Sequence, residues 1–130
     1  MTDGSDLIAK MGGVVKAKKI LNTWLKDREM LEIGSIQLSQ HELRKAIAEY
    51  YLNLLRKPTI EHLKDIVTKA ESINATYYGL DGDAFYRKGQ YKWQRWHNTE
   101  WSNLINDSPN DELVYVSNLI CALRFLEGRH

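Results

Sequence analysis

Residues 76–102 concentrate the side chains best suited to molecular recognition. This stretch holds three of the four tryptophans, four of the seven tyrosines and one of the two phenylalanines of the 130-residue chain. Between Ala84 and Thr99 there are four Lys and Arg residues and no acid. Aromatic rings offer apolar area and stacking faces, and the interleaved cations add charge. The composition therefore predicts a binding surface and not a covalent reaction.

Turn motifs divide this stretch into an antiparallel meander. Asp81-Gly82 suits a type I′ hairpin turn and Gly89-Gln90 a type II′ turn, because glycine reaches the positive φ angles that these turns need. A third reversal is expected at Asn98-Thr99. Two-residue turns at these places give three cross-strand pairs: Leu80 with Asp83, Lys88 with Tyr91, and His97 with Glu100.

This register separates two faces, because successive strand residues point to opposite sides. One face carries a ladder of Tyr77, Tyr86 and Trp93, with Lys88, Tyr91 and Arg95 around it. The other carries Tyr78, Leu80, Phe85, Trp96 and Trp101, with Arg87, Lys92 and Gln94. We expect the second face to be buried on helices and the first to be exposed. The predicted contact residues are Tyr77, Tyr86, Lys88, Tyr91, Trp93, Arg95 and His97.

Signatures of catalysis and metal binding are absent from the sequence. His41-Glu42 begins an H-E-x-x-H motif, but Lys45 stands where the second histidine ligand is needed. The remaining histidines are scattered without paired cysteines, and no glycine-rich phosphate loop or G-x-S-x-G motif occurs. We therefore expect no catalytic residues, no metal ligands and no cofactor. Cys121, in an apolar run, is expected to act as a small buried hydrophobe.

Helical segments flank the meander and place it in an α+β fold of one domain. Apolar spacing and capping signals predict helices over residues 5–11, 14–30, 39–57, 59–73 and 108–128, with residues 33–38 as a linker or short strand. Ser39 and Glu42 form a capping box, and Thr59 caps the following helix. The connection between these two helices is short, so we expect a helical hairpin. The chain thus divides into a helical part (1–75), the meander (76–102) and a C-terminal packing helix (108–128).

Composition sets limits on the class of protein. A hydrophobic fraction of 43% with 27% charged residues is ordinary for a globular domain, and the net charge of +1 gives no global field that attracts nucleic acid. A single cysteine forms no intrachain disulfide, which suits a reducing compartment. No basic leader or long apolar segment is evident. The expected location is the cytoplasm of a bacterium or an infected cell, without membrane contact.

Two segments, DLIAKMGGVVKAKKIL and NATYYGLDGDAFYRKGQYKWQRWHNTEW, together carry a resemblance to a protein family. They resemble small accessory proteins of tailed phages and prophages of enterobacteria, many of which have a "GG…KA" helix and a short aromatic meander. The resemblance implies a non-enzymatic role in which the protein binds and redirects a host or phage protein. It supplies no catalytic residues.

Three kinds of partner remain open at this point. The aromatic and basic face can dock an acidic protein surface or a second copy of the chain. It can also stack single-stranded bases on Tyr77, Tyr86, Tyr91 and Trp93 while Lys88, Lys92 and Arg95 follow phosphates. A winged-helix mode is a further nucleic-acid alternative, with residues 59–73 as the recognition helix and the Gly89 hairpin as the wing.

Overall fold

The computed structural model describes residues 4–24, 30–33 and 36–128. Within these ranges the chain forms five helices and two antiparallel sheets. The helices are α1 (Gly4–Lys10), α2 (Val14–Asn22), α3 (Gln40–Asn53), α4 (Ile60–Ser72) and α5 (Val116–Leu126). The strands are β1 (Met30–Ile33), β2 (Ile36–Ser39), β3 (Tyr77–Gly79), β4 (Ala84–Lys88), β5 (Trp93–His97), β6 (Glu100–Asn103) and β7 (Leu113–Tyr115). The predicted α+β class is confirmed.

The larger sheet has the strand order β6-β5-β4-β3-β7, with every pair antiparallel. Tyr77 lies opposite Tyr86, and His97 lies opposite Glu100, as the predicted register has them. The reversal at Asn98-Thr99 has positive φ at both residues, but the β3–β4 connection is a four-residue loop with positive φ at Asp83, so the predicted type I′ turn at Asp81-Gly82 is wrong. The middle pair is displaced by two residues, since Lys88 lies opposite Trp93. The loop there spans residues 89–92, closed by the Gly89 N–H, which donates to the Lys92 carbonyl at 2.8 Å. A shift of two residues keeps every side chain on its predicted face.

Several predicted helix ends are corrected by the structure. Helix α2 ends at Asn22 and Met30 lies in strand β1, while the predicted helix across residues 25–29 falls outside the described residues. Strands β1 and β2 pair as a hairpin where a linker or short strand was predicted. Helix α3 begins with the predicted capping box of Ser39 and Glu42, but it ends at Asn53 and not at Lys57. Residues 54–57 form turns ahead of Pro58 instead.

The largest correction concerns the C-terminal segment. The predicted helix from residue 108 begins only at Val116, and Leu113–Tyr115 forms strand β7 on the free edge of β3. Pairing satisfies backbone groups that a helix would leave exposed on that edge. The end of α5 is as predicted, because Gly128 has a φ of 76° and its N–H donates to the Phe125 carbonyl.

Helix α5 is the centre of the main core. Leu119 is 0% exposed, and the cluster around it joins α3, α4, α5 and Tyr78 of the sheet. The short link between α3 and α4 predicts that the two helices pack directly on each other. In the structure, each of them contacts α5 more extensively than it contacts the other. A second core cluster joins α1, α2 and α3 through residues that include Ile8 and Leu43.

Truncation at the centre of α5 measures how much the fold depends on it. Leu119→Ala should lower the free energy of unfolding by about 2–5 kcal/mol, because it leaves a cavity between packed helices. Ile105→Ala is the matched control, since that aliphatic side chain is 95% exposed and its loss should change stability by less than about 0.5 kcal/mol. Urea denaturation of both variants gives the comparison. An equal loss of stability in the two variants would show that α5 does not lie at the centre of the main core.

Candidate functional site

The inner face of the five-stranded sheet is packed on helices, as the sequence predicts. Tyr78 is 1% exposed, and its ring lies 5.4 Å from that of Phe85. At the β5–β6 end, Trp96 and Trp101 form an edge-on pair at 5.5 Å. The Trp101 indole N–H donates to the carbonyl of Ile73, just after α4, at 3.3 Å. This side of the sheet is therefore part of the core.

The opposite, outer face carries three aromatic side chains in ring contact. We call Tyr115, Tyr77 and Trp93 the aromatic row. The Tyr77 ring lies 4.8 Å from that of Tyr115 and 5.0 Å from that of Trp93. A hydrogen bond with Tyr115 raises the pKa of Tyr77. Tyr77 and Tyr115 alternate along their strands with the buried Tyr78 and Val114, so the row faces away from the core.

Cations lie beside the aromatic row. The Lys88 ammonium is 5.9 Å from the centre of the Trp93 ring, on the exposed end of β4. Arg95 is exposed on the same face and lies across from Tyr86 in the next strand. A cation over an aromatic face is attracted by the ring quadrupole. The face therefore combines flat apolar area with positive charge.

Tyr86 departs from the expectation that the whole ladder is exposed, because it is only 7% exposed. Gly79 lacks a side chain, and a Cβ atom there would lie 2.8 Å from the Tyr86 ring and would clash with Asp111. The ring and the Asp111 carboxylate fill that space. Burial raises the pKa of Tyr86, the Asp111 carboxylate adds to the effect, and Arg95 opposes it. Tyr86 thus shares the space beside Gly79 with Asp111 and presents little of its own ring to solvent.

Asp111 ties the connection after β6 to the sheet. Its carboxylate accepts hydrogen bonds from the backbone N–H groups of Asp81 at 3.0 Å and Gly82 at 3.1 Å. We call this contact the Asp111 clamp. Ionised acceptors make stronger hydrogen bonds than neutral ones, so the clamp stabilises both the β3–β4 turn and the approach of β7. Ser108 and Asp111 have the spacing of a capping box for a helix that starts at residue 108, but α5 begins only at Val116, so Asp111 caps no helix there.

The remaining predicted contact residues lie outside the aromatic row. Tyr91 is 88% exposed in the β4–β5 loop, and His97 is exposed at the other end of β5, opposite Glu100. Tyr115 was missed as a contact residue because its segment is predicted to be helical. Its signal in the sequence is the run Leu113, Val114, Tyr115, Val116, which is rich in β-branched and aromatic residues.

Metal-binding clusters and membrane-spanning helices are absent from the described ranges. There, no group of three His, Cys, Asp or Glu side chains is arranged to hold a metal ion. No helix in the same part of the chain combines the length and apolar character needed to cross a bilayer. Cys121 is exposed, which corrects the expectation that it is buried. Only one side of α5 packs on the core, and Cys121 lies on the other.

Comparison with known proteins adds no relative. The chain matches no protein-family model, no curated protein and no solved structure.

Buried tyrosines should make the protein sensitive to alkali. Burial raises the pKa of Tyr78 well above its usual 10.0, and the hydrogen bond to Asp83 raises it further. The folded state then keeps a proton that the unfolded state loses, so the contribution to stability is complete below about pH 10 and falls as the pH rises above it. Urea midpoints between about pH 8 and pH 11 should fall less steeply in Tyr78→Phe than in the wild type.

Tyr91→Phe is the control for this experiment, because it makes the same substitution at a side chain that is 88% exposed. Tyr86 and Tyr51 also have raised pKa values, so the decline in Tyr78→Phe should be reduced and not abolished. An identical decline of the urea midpoint with pH in Tyr78→Phe and in the wild type would contradict the raised pKa of Tyr78.

Proposed function

We propose that this is a non-enzymatic binding protein that docks an acidic surface of another protein on the outer face of its sheet. One observation carries the proposal. The aromatic row lies beside Lys88 and Arg95 on the sheet face opposite the buried Tyr78 and Val114. Tyr, Trp and Arg are the residues that most often dominate the energy of protein interfaces.

Preorganisation of the face supports this role. Ring contacts within the aromatic row limit the rotamers of Tyr77, and the Asp111 clamp fixes the neighbouring turn. Binding to a rigid surface loses less side-chain entropy than binding to a mobile one. The row can therefore contribute its full contact area to a complex.

The chemistry of the face also describes the partner. Lys88 and Arg95 are exposed beside the aromatic row, so the complementary surface is acidic with an apolar centre. The resemblance to phage accessory proteins favours a host or phage protein whose activity is modulated by the contact. On this proposal the chain supplies recognition, and any chemistry belongs to the partner.

Binding of single-stranded nucleic acid is a second candidate, favoured by the Lys88 contact with Trp93. Bases can stack on exposed rings while nearby cations contact phosphates. The winged-helix mode has less support. Helix α4 packs its apolar side on the inner sheet face, and its exposed side carries Glu61, Asp65 and Glu71, which repel phosphates.

Photo-crosslinking tests the proposed protein contact. A benzophenone amino acid at position 115 should crosslink one major protein from an enterobacterial lysate, because Tyr115 is 53% exposed at the end of the aromatic row. The same amino acid at position 15 is the site control, since Val15 is 79% exposed on α2. Charge reversal by Lys88→Glu with Arg95→Glu should reduce the adduct at least about tenfold. Lys16→Glu with Lys45→Glu, at exposed positions of α2 and α3, is the matched charge control.

Equal adducts from positions 115 and 15 would contradict the proposal. So would an adduct at position 115 that survives reversal of Lys88 and Arg95.

An oligonucleotide titration distinguishes the second candidate. The anisotropy of labelled single-stranded and duplex 12-mers is followed from about 50 mM to about 300 mM salt, together with tryptophan fluorescence. A protein-docking role predicts no saturable binding. Micromolar binding that quenches tryptophan, weakens steeply with salt and is lost on reversal of Lys88 and Arg95 would replace the protein partner with a nucleic acid.

A further inference from the structure

A separate cleft lies between α2, α3 and α5, on the side of the molecule formed by the helices. Its volume is about 530 Å³, and its walls are mainly apolar, with Leu21, Ile47 and Phe125 each from a different helix. Cavities that bind small organic molecules commonly have volumes of about 300–1,000 Å³. The size and the lining therefore suit a small ligand with an apolar body.

The charge of the cleft is one-sided. Each helix contributes one cation, namely Lys18, Arg44 and Arg124, and within the described part of the chain no carboxylate lines the cleft. Cations grouped beside a low-dielectric apolar wall create a local positive potential that attracts an anion.

The three cations differ in how they are held. The Lys18 ammonium donates to the Asn118 side-chain oxygen at 2.6 Å and lies 5.8 Å from the centre of the Tyr51 ring. Neither Arg44 nor Arg124 has a hydrogen bond or ion pair with another described residue. Lys18 is thus fixed at the base of the cluster, while the two guanidinium groups are available to bind a ligand. Arginine suits this task, because its planar fork matches carboxylate and phosphate oxygens.

We propose that this cleft binds a small amphipathic anion. The apolar body of the ligand lies against Leu21, Ile47 and Phe125, and its carboxylate or phosphate group pairs with Arg44 and Arg124. The site shares no residue with the outer sheet face. The proposal therefore stands or falls independently of the proposed protein contact.

The only cysteine in the chain provides a reporter for occupancy. Cys121 is exposed and lines the cleft, so a bound molecule should shield its thiol from maleimide. Decanoate is the probe, with 1-decanol and decylamine as neutral and cationic molecules of the same chain length. Decanoate should slow the modification at least about tenfold at saturation, while decanol and decylamine at equal concentration should slow it less than about twofold.

A pair of arginine substitutions tests the role of the charges. Arg44→Ala with Arg124→Ala should weaken decanoate binding, measured by isothermal titration calorimetry, at least about tenfold, which corresponds to about 1.4 kcal/mol. Both arginines are exposed, so the fold should survive, and circular dichroism checks this. Lys45→Ala with Lys57→Ala removes the same charge from exposed positions outside the cleft and should leave binding unchanged.

Three results would overturn the proposal. The first is that decanoate and decanol shield Cys121 equally. The second is that the folded arginine variant binds decanoate with wild-type affinity. The third is that an acidic amphipathic peptide shields Cys121 but none of the ten-carbon probes does. The last result would assign the cleft to a protein segment.

Discussion

The alternation of side chains along strand β3 is the constraint on which the two faces of the sheet depend. Tyr77 and Tyr78 are neighbours in the chain, and adjacent residues of a strand must point to opposite sides. Tyr78 is buried in the main core and its hydroxyl pairs with Asp83. Its burial directs Tyr77 outward, and strand β7 repeats the arrangement with Val114 inside and Tyr115 outside. The outer aromatic row is thus a consequence of how the core is packed.

The outer face keeps its order by means other than a covering layer. Aromatic pairs across strands add about 0.5–1.5 kcal/mol each beyond the area that they bury, so the ring contacts of Tyr77 stabilise the sheet as well as shaping its surface. The Asp111 clamp brings the chain after β6 back to the β3–β4 turn, which places β7 beside β3. Gly79 makes room for this contact. Substituting a residue of the aromatic row therefore changes both stability and binding. Substituting Lys88 or Arg95 is the better test of binding, because these side chains contribute less to the ring contacts that stabilise the sheet.

The sequence predicts what depends on local rules. The reversals placed at Asp81-Gly82 and Asn98-Thr99 give the correct strand pairings. The predicted register at Gly89 is wrong by two residues, and a shift of two leaves the assignment of side chains to the two faces unchanged. The features that the sequence does not predict depend on residues that are far apart in the chain. Strand β7 forms because β3 offers a free edge, Asp111 acts across about thirty residues of chain, and Cys121 lines a cleft made by three separate helices. No spacing rule within one segment contains that information.

Hydroxyl-radical footprinting, read by mass spectrometry in the free protein and in its complex with the crosslinked partner, tests the account most directly. In the free protein Tyr115 should be oxidised rapidly and Tyr78 slowly, in line with 53% and 1% exposure. In the complex Tyr115, Tyr77 and Trp93 should become protected, while Trp96 and Trp101 keep their free rates. Protection confined to Trp96, Trp101 or the helices would contradict the assignment of the outer sheet face as the contact surface.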